Sequence, residues 1–181
     1  MHSTKIIAIA LLVVASTRAM TQQHQNGSTE KLGEVHFATS CNETAQREFN
    51  RAVALLHSFQ FSRAIEGFDA ALRDDPTCAI AYWGSALSDW GNPFAPGLKS
   101  PGQLQLGRDS AERGRSLGAK TEREQAYLAA VAKLYGNFES TPQPARLRAY
   151  RDAMERLAAN YPNDHEGSIF YALALAAAAD P

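Results

Sequence analysis

Residues 45–78 read AQREFNRAVALLHSFQFSRAIEGFDAALRDDPTC, and this stretch decides the fold. Apolar side chains recur in it at spacings of three and four, which is the pattern of one buried helix face. The first such stripe is made by Phe49, Ala52, Val53 and Leu56, and the second by Ala64, Ile65, Phe68, Ala71 and Leu72. The pair Asp75-Pro76 ends the second helix, because proline suits the first turn of a helix and not its interior. The stretch therefore predicts two helices joined by a short turn.

The same spacing continues downstream. It predicts five more helices, which begin near Thr77, Gly102 and Thr121, before Leu147 and near Asp164. The fourth helix has a small inner face: Leu104, Gly107, Ala111 and Gly114. Residues 40–43, 121–124 and 163–166 have the sequence of capping boxes, in which two side chains satisfy backbone amides of the first turn. No window alternates as strands do, so the chain is predicted to be all-α.

The first hairpin resembles a tetratricopeptide repeat. The matching positions of residues 45–78 are Ala52, Leu55, Phe61, Ala64, Phe68, Ala71 and Pro76. Residues 79–118 and 119–162 keep the hairpin with longer connections, and a fourth repeat is only begun. The resemblance implies antiparallel helix hairpins stacked into a right-handed superhelical solenoid whose concave surface binds protein or peptide segments. Residues 35–41 and 75–84 also resemble a group of larger bacterial exported proteins with such repeats.

The first 19 residues have the sequence of a signal peptide. Lys5 precedes an apolar run, residues 6–15, and small residues near Ala19 suit cleavage. The run is too short for a permanent membrane span, which needs about 20 apolar residues. We therefore expect a signal peptide over 1–19, a disordered leader over 20–39 and a helical domain over 40–181. The mature protein is predicted to be periplasmic or secreted, without a stable membrane anchor.

Cys41 and Cys78 are the only cysteines. In an oxidising compartment two such thiols tend to pair, and both stand near starts of neighbouring hairpins. A Cys41–Cys78 disulfide is therefore predicted. The alternative is two free thiols made reactive by helix N-termini.

Composition and motifs exclude several functions. The formal net charge of −1 argues against nucleic-acid binding, which draws on an excess of Lys and Arg. His165-Glu166 begins like a zinc-protease motif, but Ile169 stands where the second histidine is required. The chain is predicted not to be an enzyme and to need no cofactor.

The candidate partner-binding residues are His57, Trp83, Trp90, Asn92 and Phe94. Aromatic side chains near a Pro-rich loop are suited to recognition, because they give a large contact area at low entropic cost. The alternative is that these aromatics fill the wedge between hairpins. We expect an exported scaffold for a protein or peptide partner.

A second hypothesis is an exported metal- or ligand-binding protein. It would use His36 and His57, with His165, and the loop from Trp90 to Phe94. Nothing in the spacing of the histidines is typical of metal ligands, so structural roles are favoured for them.

The last predicted helix, residues 164–179, has no charge after Glu166. A helix that is apolar on every face must be covered on every face. We therefore expect either a longer solenoid or a partner that covers this helix, with self-association through it as one outcome.

Overall fold

The computed structural model describes residues 32–179, which form seven α-helices and one short 3-10 helix without any strand. The predicted all-α class is confirmed for this part of the chain. The predicted signal peptide and residues 20–31 of the predicted leader lie outside the described residues. The helices are α1 (Glu43–His57), α2 (Phe61–Asp74), α3 (Ile80–Trp90), α4 (Pro101–Leu117), α5 (Glu122–Val131), the 3-10 helix (Ala132–Leu134), α6 (Gln143–Asn160) and α7 (His165–Ala178).

Neighbouring helices pack as hairpins. The helix pairs α1 with α2, α3 with α4, and α6 with α7 are in contact. Contacts also join α2 to α3 and α5 to α6, while α3 touches both α1 and α5. The core therefore lies between α1, α3 and α5 and the helices that pack against them. No helix among residues 32–179 combines the length and the apolar character that a membrane crossing requires.

The predicted small face of α4 is buried. All four of its residues, Leu104, Gly107, Ala111 and Gly114, face the core. Gly107 is required there, because a β-carbon would lie 2.1 Å from Cζ of Tyr135. The low helix propensity of glycine is thus offset by the close approach of a ring.

The last part of the predicted leader belongs to the domain. Phe37 is fully buried, and its ring centre lies 5.1 Å from that of Phe49 and 4.9 Å from that of Tyr127. Its backbone N–H donates to Oδ1 of Asn50 over 3.2 Å. The prediction of disorder was wrong for residues 32–39, because one aromatic side chain is enough to fix this segment on the helical core.

The predicted capping boxes at α1 and α7 were wrong in position. Asn42 caps α1 by accepting from the N–H of Ala45 at 2.9 Å, and Asp164 caps α7 by accepting from the N–H of Gly167 at 3.1 Å. Thr121 caps α5 as predicted, with its hydroxyl accepting from the N–H of Glu124.

Two of the three acidic residues of the predicted boxes bind distant partners, whereas Glu43 pairs with Arg47 one turn away. Glu124 accepts from both the N–H and the hydroxyl of Ser40 at 2.7 Å. Glu166 lies 2.7 Å from Nε2 of His57 at the end of α1. These carboxylates tie separate helices together rather than closing a local box.

The prediction of a Cys41–Cys78 pair is confirmed. The two sulfur atoms are at bonding distance, and the two Cα atoms are 4.9 Å apart. Cys41 lies just before α1 and Cys78 just before α3. Beside the bond, the N–H of Asn42 donates to Oδ2 of Asp75 at 2.9 Å.

Asp164 joins α5 to the start of α7. Its carboxylate accepts from Nε of Arg123 at 2.6 Å and from the hydroxyl of Tyr127 at 2.8 Å. Burial acts to raise the pKa of Asp164, but these donors and the N–H of Gly167 outweigh it and hold the pKa below its ordinary value. We call the set Cys41, Cys78, Asp75, Glu124 and Asp164, with their partners, the helix-start region.

Candidate functional site

Residues of α1, α2, α3, α6 and α7 line an apolar pocket of about 130 Å³. It lies between the ends of α1 and α3 and the sides of α6 and α7. An engineered apolar cavity of about 150 Å³ binds benzene, so this pocket has room for one large apolar side chain. Its wall includes Leu56, Leu87, Trp90, Tyr150, Phe170 and Ala174.

Two exposed aromatic rings stand near the mouth of the apolar pocket. Phe59 lines the pocket and is 46% exposed, while Phe94 is 62% exposed. Their ring centres are 6.1 Å apart. Ile169 of α7 also lines the pocket and is 43% exposed. We call Phe59, Phe94 and Ile169 the apolar rim, which adds apolar contact area for a bound group.

Phe59 has an uncommon backbone conformation. Its φ of 58° is in the left-handed region, where asparagine and glycine are favoured and a bulky side chain costs energy. Asn137, the other non-glycine residue with positive φ among residues 32–179, is of a favoured type. This conformation closes the end of α1, where the N–H of Phe59 donates to the carbonyl of Leu56 and that of Gln60 donates to the carbonyl of Leu55.

Two polar side chains fix the loop of residues 91–100. Asn92 accepts from the N–H of Phe94 at 2.9 Å, which closes a tight turn. The side-chain NH₂ of Gln143 donates to the carbonyls of Pro96 and Gly97, and its carbonyl accepts from the N–H of Lys99. The loop is therefore held in one shape beside the pocket.

His57 lines the apolar pocket and links two of its helices. Its Nε2 pairs with Glu166 at 2.7 Å, and its ring stacks on Phe170 with the ring centres 5.0 Å apart. The contact of His57 with Glu166 joins residues that are 109 positions apart in sequence. His57 thus positions α7 against α1 as well as forming part of the wall.

Several donors at the apolar pocket have no acceptor among residues 32–179. The Lys99 ammonium lies 5.5 Å from the centre of the Trp90 ring and makes no ion pair within the described part of the chain. The indole N–H of Trp90 is buried without a hydrogen-bond partner. The hydroxyl of Tyr150 likewise makes no hydrogen bond in this range, and burial raises the pKa of Tyr150, so the hydroxyl keeps its proton.

Trp83 is not available to a partner. It is fully buried, and its ring packs on Phe37, Tyr127 and Phe170 with centres about 5 Å apart. The hypothesis that it contacts a partner is corrected by this position: Trp83 fills the centre of the core, where it joins four separate segments.

The three histidines of the metal-binding hypothesis do not meet. His36 and His165 line a shallow polar pocket of about 460 Å³ with Arg123 and Asp164, whereas His57 lines the apolar pocket. Between residues 32 and 179 there is no group of three or more His, Cys, Asp or Glu side chains that could hold a metal ion.

The structure brings four of the candidate residues to one place. His57 and Trp90 line the apolar pocket, Phe94 belongs to its rim, and Asn92 shapes the loop beside it. Their part in partner binding stays a prediction.

Sequence reasoning missed Phe59, Lys99 and Tyr150. The spacing that predicts the helices gives no sign that Phe59, which follows α1, or Tyr150, which lies within α6, lines a pocket. The one available signal for Lys99 was that it is the single charged residue of the loop 91–100.

No family model, no curated protein and no solved structure matches the chain.

Proposed function

We propose that this chain is an exported helical-repeat scaffold of the tetratricopeptide kind that binds a protein or peptide segment. One apolar side chain of that segment enters the apolar pocket. The observation that carries the proposal is the preformed pocket of about 130 Å³ beside the exposed rings of Phe59 and Phe94. Exposed apolar surface around a concave site is typical of an interaction surface.

The order of helix contacts supports the repeat architecture. In stacked hairpins the first helix of each pair touches the first helix of the next pair, and α3 does touch both α1 and α5. The contacts of α2 with α3 have the same origin, because the second helix of one hairpin also meets the first helix of the next. These contacts are compatible with stacked hairpins, and the right-handed superhelix is part of the proposal.

Export is supported by the disulfide, since such bonds persist in oxidising compartments. Binding is favoured over catalysis because the wall of the apolar pocket contains neither serine nor cysteine, and its histidine is already paired with Glu166. The metal-binding alternative has no comparable support.

A peptide library displayed on phage tests the proposal. We expect the wild-type protein to enrich sequences with a large apolar residue. The double variant Phe59→Ser/Phe94→Ser should lose this enrichment, because the rim contributes much of the contact. The matched control is Leu106→Ser/Leu117→Ser, which changes two exposed apolar residues of α4 far from the pocket in sequence. Equal enrichment by the rim variant and the wild type would disprove the proposal.

Self-association through α7 is a second candidate. Ile169 and Leu175 on α7 are 43% and 44% exposed, so the helix presents apolar surface that the other helices leave uncovered. Sedimentation should find concentration-dependent association that Leu175→Glu weakens. Leu117→Glu is the control, since Leu117 is equally exposed on α4. A wild-type monomer at high concentration would exclude this candidate.

A further inference from the structure

We infer that the segment bound in the apolar pocket is acidic as well as apolar, with an Asp or Glu next to its apolar anchor residue and its carboxylate received by Lys99. This inference rests on the proposed function and specifies the chemistry of the partner. It comes from the groups that surround the pocket, which are donors and cations whose complement is an anionic acceptor.

Lys99 is the residue that would receive the carboxylate. Its ammonium lies against Trp90, which lines the pocket, and about 4.0 Å from the position that a β-carbon on Gly91 would take. Gly91 is also part of the pocket wall. The charge therefore stands beside the apolar site, where the flanking residue of a bound segment would lie.

The Lys99 ammonium is also poorly compensated. Partial burial lowers the pKa of Lys99, and no carboxylate between residues 32 and 179 pairs with it. The two carboxylates nearest in sequence have other partners: Asp89 accepts from the hydroxyl of Ser110, and Asp109 accepts from the side-chain NH₂ of Gln105. A partly desolvated cation whose one neighbour is an aromatic face is stabilised further by an added carboxylate.

The remaining polar groups of the site act in the same direction. Arg146 places a second cation 5.7 Å from the centre of the Trp90 ring, and it is satisfied by the carbonyls of Leu134 and Thr141 rather than by a carboxylate. The Tyr150 hydroxyl is a protonated donor without a partner in the described range. Glu166, the acidic group behind the wall, lies 2.7 Å from Nε2 of His57.

The loop holds Lys99 in place before a ligand arrives. The N–H of Lys99 donates to the side-chain carbonyl of Gln143 at 3.2 Å, and Gln143 also binds two loop carbonyls. These hydrogen bonds fix the backbone of Lys99, so its side chain starts beside the pocket, with the ammonium on the ring of Trp90.

Two peptides with blocked ends test the inference: acetyl-Gly-Ser-Asp-Leu-Asp-Ser-amide and the same peptide with Asn for both Asp. Binding is followed by NMR on ¹⁵N-labelled protein. The chain has two tryptophans, so the indole N–H signal of Trp90 reports on the pocket while that of Trp83 is an internal control. We expect the Asp peptide to bind about fivefold tighter than the Asn peptide at low salt, with a smaller ratio at high salt.

The preference should depend on Lys99. Lys99→Met and Lys99→Gln should abolish it, and Lys99→Arg should keep it. Lys133→Met is the control, because Lys133 is an exposed lysine of the 3-10 helix that does not line the pocket. An unchanged Trp83 signal shows that each variant is folded.

Equal affinity of the two peptides for the wild type would overturn the inference and leave the proposed function standing. If neither peptide moves the Trp90 signal, the proposed function fails and the inference fails with it. If decanoate moves that signal and the peptides do not, the occupant is a lipid carboxylate and the assignment of a peptide is wrong.

Discussion

The helix-start region and the apolar pocket differ in whether their polar groups have hydrogen-bond partners among residues 32–179. In the helix-start region each carboxylate receives several donors: Asp164 binds Arg123 and Tyr127, and Glu124 binds Ser40 twice. At the apolar pocket the donors of Lys99 and Tyr150 find no acceptor among residues 32–179, and aromatic rings face solvent. The first region pairs its polar groups within the chain, whereas the second leaves donors without acceptors in the described residues.

Two aspartates express the same contrast. Hydrogen bonds outweigh burial at Asp164 and hold its pKa low, whereas at Asp89, next to Trp90, burial raises the pKa to about 6 despite the hydroxyl of Ser110. The nearby charge of Asp69 also raises the pKa of Asp89. One carboxylate stabilises the fold at neutral pH and the other opposes it.

The largest expected effect compares two phenylalanines. Phe37→Ala should lower the free energy of unfolding by about 3–5 kcal/mol, because it removes a fully buried ring from the core. Phe94→Ala should change it by less than about 0.5 kcal/mol, because that ring is mostly exposed. Urea unfolding measures both. Equal losses would show that the rim is part of the core and remove the contrast.

Loss of the disulfide should be next in size. Cys41→Ser/Cys78→Ser should lower the free energy of unfolding by about 2–4 kcal/mol, since the bond closes a loop with a separation of 37 residues. Peptide binding at the pocket should be unchanged under folding conditions. Reductant should destabilise the wild type to the level of the variant and leave the variant unaffected; a reductant-insensitive wild type would contradict the bond.

Asp164→Asn should lower the free energy of unfolding at pH 7 by about 2 kcal/mol, because it removes charge-assisted hydrogen bonds. The pKa of Asp164 is lower in the folded state, so its stabilisation is present above about pH 4 and is lost as the pH falls through the folded-state value. The difference from wild type should therefore shrink below pH 4. Asp152→Asn, which removes an exposed ion pair, is the control.

Asp89→Asn should act in the opposite direction and raise the free energy of unfolding at pH 7 by about 1 kcal/mol, a value reduced for partial exposure. Because the pKa of Asp89 is raised to about 6, its charge destabilises the fold above that pH, and the penalty disappears as the pH falls from 6 towards 4. Unfolding curves should show the variant more stable than the wild type at pH 7, with the difference in free energy of unfolding gone at pH 4. A loss of stability at pH 7 would show that the carboxylate has a favourable partner.

The smallest effect on stability is expected at Phe59. Phe59→Asn should raise the free energy of unfolding by about 0.5 kcal/mol, because asparagine tolerates the positive φ. It should also weaken binding of apolar peptides. Phe94→Asn is the matched comparison, which should weaken binding without a gain in stability. If Phe59→Asn keeps full binding, Phe59 has no role at the rim.

The helices were predictable because their periodicity is local. The buried face of α4 and that of α6 each follow from the spacing of their apolar residues, and both are buried in the structure. The partners of Glu124 and Glu166 were not predictable in the same way. Each glutamate has the spacing of a local cap, yet its hydrogen bond goes to a residue 84 or 109 positions away, which only the folded chain brings near.

The candidate site was predictable only in part. The loop from Trp90 to Phe94 is recognisable by its turn residues and aromatics, so the sequence identifies the end of α3 that borders the pocket. A pocket also needs α6 and α7 to close it, and their register against α1 is set by side-chain packing over long sequence distances. Tyr150 and Lys99 lie at the pocket only when these helices have packed together.

The Cys41–Cys78 bond also determines how the first three helices are joined. The two cysteines bracket α1 and α2 and no other helix, so the bond can form once residue 78 is available. The oxidised hairpin then presents the ring of Phe68, against which Gly84 of α3 seats without room for a β-carbon. The bond also fixes the start of α3 beside the start of α1, so α3 is tethered to the hairpin on which it packs.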